Sequence, residues 1–298
     1  MTSAGAGPGP PVTVRPIETA PELRGRTAVV TGASDGIGAV TATTLARWGA
    51  TVVAVGRNPA KLNDVVSAIR AAGGSAEGRA VDFGSLDAVR ELGSDLAEHH
   101  PRIDVLVNNA GLTMEQRTLS ADGYEMTFAV NHLAPFLLTN LLLPNLIAAA
   151  PARIVITSSV TMLKARVDFA DLQSEQGFAR MKAYAASKLC NVLFTRELAR
   201  RLDPAQVTAN CLHPGAVRTQ IMRGEGFFSK IATGIGGLAL VSPEKGADTI
   251  LFLATDPSVA GVSGQYFVRR RSRGLPAAAT DGTTAARLWD VSAELVGL

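Results

Sequence analysis

The chain has 298 residues, 47% of them hydrophobic, and a formal net charge of +3. That is long and apolar enough for one large α/β domain, and so mild a charge leaves no electrostatic footprint for nucleic acid. Its two cysteines, Cys190 and Cys211, cannot build a disulfide framework or a metal cluster, which points to a reducing compartment.

The opening residues "MTSAGAGPGPPVTVRP" lack a basic start and an apolar core, so they do not read as a signal peptide. Their Gly and Pro content predicts a disordered tail over residues 1–24. Together with the cysteine usage this gives the expectation of a cytoplasmic protein. From residue 26 the text alternates. "RTAVVTG" reads as a strand and "GIGAVTATTLARWGA" as a helix. "TVVAVG", the helix "PAKLNDVVSAIRAAG" and the strand "SAEGRAVDF" follow, then the amphipathic "SLDAVRELGSDLAEHH" and the apolar strand "IDVLVNNAG". A long helix is predicted over about 122–148, a strand at "ARIVITSS", a helix over about 178–202, and strands at "VTANCLHPG" and "GQYFV". Strands rich in β-branched residues, alternating with helices, predict a single-domain, Rossmann-type doubly wound parallel sheet with helices on both faces, spanning residues 25–298.

Two stretches invite other readings. "HLAPFLLTNLLLPNLIAAA" (132–150) is apolar, but His132, Asn140, Asn145 and two prolines interrupt it, so a buried or interface helix is expected rather than a membrane span. "RRRSR" (269–273) has no aromatic interleaving and reads as a solvated loop.

The loop "VVTGASDGIG" joins the first strand to the first helix. Gly32, Gly36 and Gly38 have the spacing G-x-x-x-G-x-G. Glycines there permit a tight turn and a close backbone approach to a pyrophosphate, while the helix N-terminus at Gly36, Ile37 and Gly38 offers N–H donors. A plain strand-to-helix turn is the alternative. Asn109, Ala110 and Gly111 close another strand in the order a dinucleotide site needs. Asp82, beside Phe83, sits at a strand end where a carboxylate can accept from an adenine amino group; turn chemistry and a helix cap compete with these readings. Farther on, Tyr184 precedes Lys188 by four residues. On a helix this is about 40° past one turn, so both polar heads leave the same face.

The ordered set T-G-x-x-x-G-I-G, N-N-A-G, a Ser-Ser strand end, Y-x-x-x-K and "HPG" resembles the short-chain dehydrogenase/reductase family over about residues 25–297. "SADGYEMTFAVNHLAPFLLTNLLL", "YAASKLCNVLFTREL", "HPGAVRT" and "ARLWDVSAELVGL" are similar to its retinol-dehydrogenase-like branch. The resemblance implies hydride transfer between a nicotinamide and a carbonyl or alcohol carbon, with Tyr184 as general acid/base. Lys188 is implied to favour the phenolate and hold the nicotinamide ribose. Ser159 is implied to polarise the substrate oxygen, with Ser158 as the neighbouring alternative. Asn131 is implied to complete a proton relay. Pro214, Gly215, Val217 and Thr219 are implied to close over the nicotinamide. In many relatives the helices at 122–148 and 183–202 form a four-helix interface, which implies a homodimer or homotetramer.

The cofactor follows from the end of the second strand. Gly56 stands where a carboxylate would bind the ribose of NAD, and Arg57 offers a guanidinium to a 2′-phosphate. Ser34 adds a hydroxyl, whereas Asp35 cuts against a phosphate. NADP(H) is expected, with NAD(H) the alternative. The stretch around 217–241 combines glycines with Met222, Phe227, Phe228 and Leu238 and reads as an apolar substrate lid or a surface excursion. The expected activity is NADP(H)-dependent interconversion of a carbonyl and an alcohol on a lipophilic small molecule. Reduction of a carbon–carbon double bond, or a cofactor-bound sensor, are the alternatives.

Overall fold

The β-branched runs line up side by side in a computed structural model that describes residues 21–215 and 241–298. The strands are β1 (Thr27–Thr31), β2 (Thr51–Gly56), β3 (Ser75–Ala80), β4 (Val105–Asn108), β5 (Ala152–Thr157), β6 (Val207–His213), β7 (Tyr266–Val268) and β8 (Arg271–Ser272). They form one sheet in the order β3-β2-β1-β4-β5-β6-β7-β8. All neighbours are parallel except the closing β7–β8 pair. The chain runs outward from β1 to β3 and then returns to β4 on the other side of β1. The switch of direction therefore lies between β1 and β4, where Ala28 stands opposite Val105 and Val30 opposite Val107.

Among the described residues, seven longer helices cover the sheet: α1 (Gly36–Arg47), α2 (Pro59–Ala71), α3 (Leu86–His99), α4 (Met126–Ala148), α5 (Arg180–Arg201), α6 (Pro243–Thr255) and α7 (Gly282–Val296). Because side chains alternate along a strand, each strand feeds two cores. Val29, Val53, Leu106, Ile154 and Ala209 face α3, α4, α5 and α7. Val30, Val52, Val107, Val155 and Leu212 face α1, α2 and α6. With both faces covered, the strands need no polar side, which is why they read as continuous apolar runs.

Helix α4 is apolar all round and long enough to cross a membrane, but most of it is buried inside the protein. It is the buried helix expected of 132–150. At Ala129–Leu133 its winding relaxes into a π-turn. The predicted strand "SAEGRAVDF" is shorter than expected and ends at Ala80.

The C-terminal region differs from the sequence reading. "RRRSR" is not a loop but the turn and last strand of a hairpin. Arg269 and Arg270 have φ of 50° and 60°, a conformation that side chains rarely adopt outside such turns. Arg269, Arg271 and Arg273 are exposed as expected. Arg270 instead turns back to make a two-pronged ion pair with Asp248 on α6. Helix α7 lies across α5 and α4. Trp289 packs against Phe136 and Phe194, at ring separations of 5.0 and 5.8 Å. Arg201 stacks on the indole at 4.3 Å. The carbonyls at the helix end receive Tyr124 Oη (2.7 Å, on Leu295) and the Arg90 guanidinium (on Val296). The chain's own α7 thus covers part of the α4/α5 surface.

Leu288 is 1% exposed at the heart of this contact. Leu288→Ala is expected to lower unfolding free energy by about 2–4 kcal/mol in urea melts. Asp290→Ala, on the exposed side of the same turn, is expected to change it by about 0.5 kcal/mol or less.

Candidate active site

The rim at the carboxyl ends of β1 and β4 is built by glycine contacts. Gly32 and Gly36 have positive φ of 67° and 56°, which lets the chain turn sharply between β1 and α1. A Cβ on Gly38 would lie 2.1 Å from the Gly32 carbonyl oxygen, and one on Gly32 would lie 2.9 Å from Ala110 Cα. The start of α1 therefore docks directly on the loop, and the loop docks directly on "NNAG". Asp35 caps α1: its Oδ1 accepts from the Gly36 N–H at 2.7 Å. Its other oxygen receives Lys61 Nζ from α2 at 3.0 Å. The N–H groups of Ile37 and Gly38 follow at a helix end that has no intrahelical acceptors for them.

Thr31, which the sequence reading did not single out, ties the two strand ends together. Its hydroxyl donates to the Val107 carbonyl and accepts from the N–H groups of Asn109 and Ala110, both at 3.0 Å. Asn109 Nδ2 donates back to the Thr31 carbonyl at 3.1 Å. Asp82 is exposed and uses Oδ1 to accept from the Gly84 N–H at 3.0 Å, so turn chemistry occupies one of its oxygens. The Phe83 side chain is in the core, which leaves only its backbone at the rim. Arg57 is exposed just beyond β2. A Cβ on Gly56 would meet Ser34 Cβ and Oγ at 3.0 Å, so there is little room for a longer side chain.

Helices α4 and α5 bring the second group of residues to the same rim. Lys188 is 2% exposed, and its Nζ donates to the Thr157 carbonyl at the end of β5, at 3.1 Å. Nζ also lies 5.7 Å from the centre of the Tyr184 ring. Of the two serines, Ser159 hydrogen-bonds Tyr184, while Ser158 is turned the other way and donates to the Lys188 carbonyl at 2.7 Å. Strand alternation separates them as expected.

Asn131 sits in the π-turn of α4 and is fully buried. Its Nδ2 donates to the Leu112 carbonyl (2.9 Å) and to Ser187 Oγ (3.0 Å), and its Oδ1 accepts from the Leu112 N–H (2.8 Å). Both ends of the amide are thus committed to protein groups. Its carbonyl is in a different position, because Pro135, four residues on, has no N–H to donate to it. A Cβ on Gly111 would come within 3.1 Å of Asn131 Oδ1 and 3.2 Å of Lys188 Nζ. Glycine is what allows these groups to share one space. Ser187, which donates to the Tyr184 carbonyl, and Asn191, which donates to the Thr157 carbonyl at 3.3 Å, complete the network. Neither has a sequence signature; only their spacing from Lys188 on the helix could have suggested them.

Burial governs the charges. It pushes the Tyr184 phenol up to about 12, against the opposing hydrogen bond from Ser159. It pulls the Lys188 ammonium down to about 8. Both shifts favour the neutral form, as desolvation requires of either sign of charge. The ammonium therefore does not lower the phenol in the free protein. Cys190, also buried, packs in the core. Pro214 and Gly215 follow β6, with Gly215 at φ 97°. Val217, Thr219 and nearly all of the 217–241 stretch lie outside the described residues.

These residues fit a nicotinamide dinucleotide. The glycine rim would admit its pyrophosphate beside the N–H groups of α1. The buried ammonium has N–H donors beyond the one that Thr157 satisfies, suited to ribose hydroxyls. A sequence model of the short chain dehydrogenases matches residues 26–226. Retinol dehydrogenase 14 of Mus musculus is 40% identical over 295 residues, covering 93% of this chain and 87% of that protein. The proposed daunorubicin C-13 ketoreductase DnrU of Streptomyces sp. (strain C5) is also 40% identical, covering 92% and 94%. Among solved structures, a proposed NAD(P)-dependent gluconate 5-dehydrogenase from Beutenbergia cavernae, with NADP bound at low occupancy, superposes with a TM-score of 0.69 at 32% identity. It covers 83% of this chain and 96% of that one.

Lys188 allows a test of the buried charge in the free protein. Its pKa falls from 10.5 to about 8 on folding. The unfolded chain thus binds more protons between those values, and stability from this group rises with pH across that window. Below pH 8 the penalty is present in full and amounts to about 3 kcal/mol. Lys188→Met is expected to stabilise the free protein by about 2 kcal/mol at pH 7, after allowing about 1 kcal/mol for the lost hydrogen bond. The gain should vanish by pH 10.5. Urea melts at both pH values measure it, and a less stable variant at pH 7 would rule the account out.

Proposed function

Because the chain belongs to the short-chain dehydrogenase/reductase family, we propose that it is an NADP(H)-dependent oxidoreductase that interconverts a carbonyl and an alcohol on a lipophilic small molecule, with Tyr184 as general acid/base. The observation that carries this reading is the cluster itself: the Tyr184 phenol bonded to Ser159, with the buried Lys188 ammonium behind its ring.

The bound nicotinamide supplies or accepts the hydride. In the reducing direction, Ser159 donates a hydrogen bond to the substrate oxygen as negative charge develops there. Tyr184, protonated at neutral pH, gives that oxygen its proton. The tyrosinate so formed lies near the Lys188 ammonium, which stabilises it. Proton replacement from solvent uses the Asn131 backbone carbonyl rather than its side chain, since the side-chain amide is taken up by Leu112 and Ser187.

Preference for NADP(H) is supported by Gly56, whose crowding against Ser34 disfavours a carboxylate, and by Arg57, which makes no ion pair among the described residues. The Asp35 carboxylate, expected to oppose a phosphate, is offset by Lys61. The NADP-bound relative supports the same reading. Relatives named for retinol and for an anthracycline ketone support a lipophilic alcohol or ketone.

Turnover of retinal, 4-nitrobenzaldehyde, their alcohols and an enone, followed by nicotinamide absorbance with both cofactors, tests the reading. Reduction of aldehydes with NADPH is expected; turnover of the enone alone would replace it with double-bond reduction. Tyr184→Phe is expected to lower kcat by roughly 10²–10⁴-fold while NADPH affinity changes little, and normal turnover in this variant would discard the assignment. Arg57→Ala should weaken NADPH by roughly tenfold and leave NADH unaffected, as read by competition between the two cofactors.

A further inference from the structure

His132 follows Asn131 in the π-turn of α4 and is fully buried. Its ring lies among Phe128, Phe136 and Phe194, at centroid separations of 5.3, 6.1 and 6.2 Å. In this apolar cage one polar contact stands out. Nε2 and the hydroxyl of Ser292, itself fully buried on α7, share a hydrogen bond of 2.8 Å. Burial holds the imidazole down at about 4, so the ring is neutral; Asn191 lies alongside it, and Nδ1 makes no hydrogen bond among the described residues.

A buried polar pair is unfavourable relative to well-packed apolar residues unless its hydrogen bond is made. An aromatic or aliphatic residue at 132 would fill the same cage with no such demand. The directional bond adds a fixed orientation for the ring. Residues on both sides of that ring touch the proposed catalytic groups. Asn131, one residue away, holds Leu112 and Ser187 through its amide. Asn191 donates to the Thr157 carbonyl, the same oxygen that accepts from Lys188. Helix α7 is in turn clamped at Trp289, Leu295 and Val296 by α5, Tyr124 and Arg90.

We propose that the His132–Ser292 hydrogen bond makes the C-terminal helix part of the support of the site: it sets the rotation of the π-turn and so the position of Asn131. His132 and Ser292 are positioning residues, and this rests on the proposed role of the Asn131 region in turnover.

The test is a double-mutant cycle on the full chain with NADPH and 4-nitrobenzaldehyde. Ser292→Ala is expected to lower kcat by roughly tenfold with KM and NADPH affinity within about twofold, and Ser292→Thr, which keeps the hydroxyl, to recover most of the loss. Asn131→Ala removes the amide that anchors the turn, and with it the Asn131 carbonyl, to Leu112 and Ser187; adding Ser292→Ala should therefore be no slower than Asn131→Ala alone. Where Ser292→Ala yields no folded protein, His132→Leu against His132→Gln runs the same cycle. Unchanged kcat in the folded Ser292→Ala variant, or losses that multiply, would overturn the inference while Asn131→Ala still loses turnover. If Asn131→Ala itself turns over normally while Tyr184→Phe does not, the premise fails and the inference with it.

Discussion

The ammonium of Lys188, closed off from water with the Thr157 carbonyl as its acceptor, is the constraint on which the rest of the site depends. Its depressed pKa has burial as its cause. A carboxylate beside it would relieve that burial, but it would also pin the ammonium and repel an anionic dinucleotide. The structure surrounds it with neutral groups instead: a carbonyl, the Gly111 backbone, the Asn131 amide and the Tyr184 ring. An uncompensated charge in a donor-rich space is stabilised by whatever brings oxygen acceptors to it. The stability forgone in the free protein is thus recoverable when a ligand brings oxygen acceptors to it, as the ribose of the proposed cofactor would.

The parallel sheet makes such a cluster attainable. Parallel strands put all their carboxyl ends on one rim, so Thr31, Asn108 and Thr157 end side by side although they are far apart in sequence. Backbone contacts then fix the rim closely, with Thr31 bonded to Asn109 and Ala110 and Gly38 against Gly32. The helices add side chains from two directions. A residue in an α-helix turns the next by about 100°, so the π-turn in α4 changes which side of that helix Asn131 leaves. Regular winding would not deliver both the apolar contacts of Phe128 and Phe136 and this inward amide.

How much of this could be read from the text depends on the reach of each signal. β1, β2, β4 and β5 were legible because strands covered on both faces are written as apolar runs rich in β-branched residues. The glycine loop and the Tyr184–Lys188 spacing were legible because turn and helix geometry are local. The choice between Ser158 and Ser159 needed the three-dimensional frame, although strand alternation had already said that only one could face inward. The strand at "GQYFV" was read and is β7, whereas helix α6, strand β8 and α7 were missed as elements. Arg269 and Arg270 adopt turn conformations that usually belong to Asn and Gly, and α7 shows its purpose only once Phe136 and Phe194 are seen to need Trp289. Ser187 and Asn191 are marked only by their spacing from Lys188 on the helix, and Thr31, which opens T-G-x-x-x-G-I-G, shows its bracing role only through its backbone partners. The expected activation of Tyr184 by Lys188 was a statement about two charges; in the free protein the shifts run the other way, since burial raises the phenol and lowers an ammonium that is still charged at neutral pH.

That reversal bears on how the proposed site would work. In water a phenol and an ammonium titrate near pH 10 and 10.4; here burial moves them in opposite directions, to about 12 and about 8. A tyrosine already ionised by its lysine would be stabilised in the ground state, and that stabilisation would not accelerate the chemical step. With Tyr184 neutral, it interacts weakly with the nearby ammonium until its proton leaves for the substrate oxygen. Only then does negative charge appear at the phenol, in a low-dielectric space where the Lys188 charge is felt strongly. The attraction between the two is therefore concentrated in the state after proton transfer begins. Burial, which looks like an obstacle to an acid/base pair, is what makes the effect of the lysine differ between substrate and transition state.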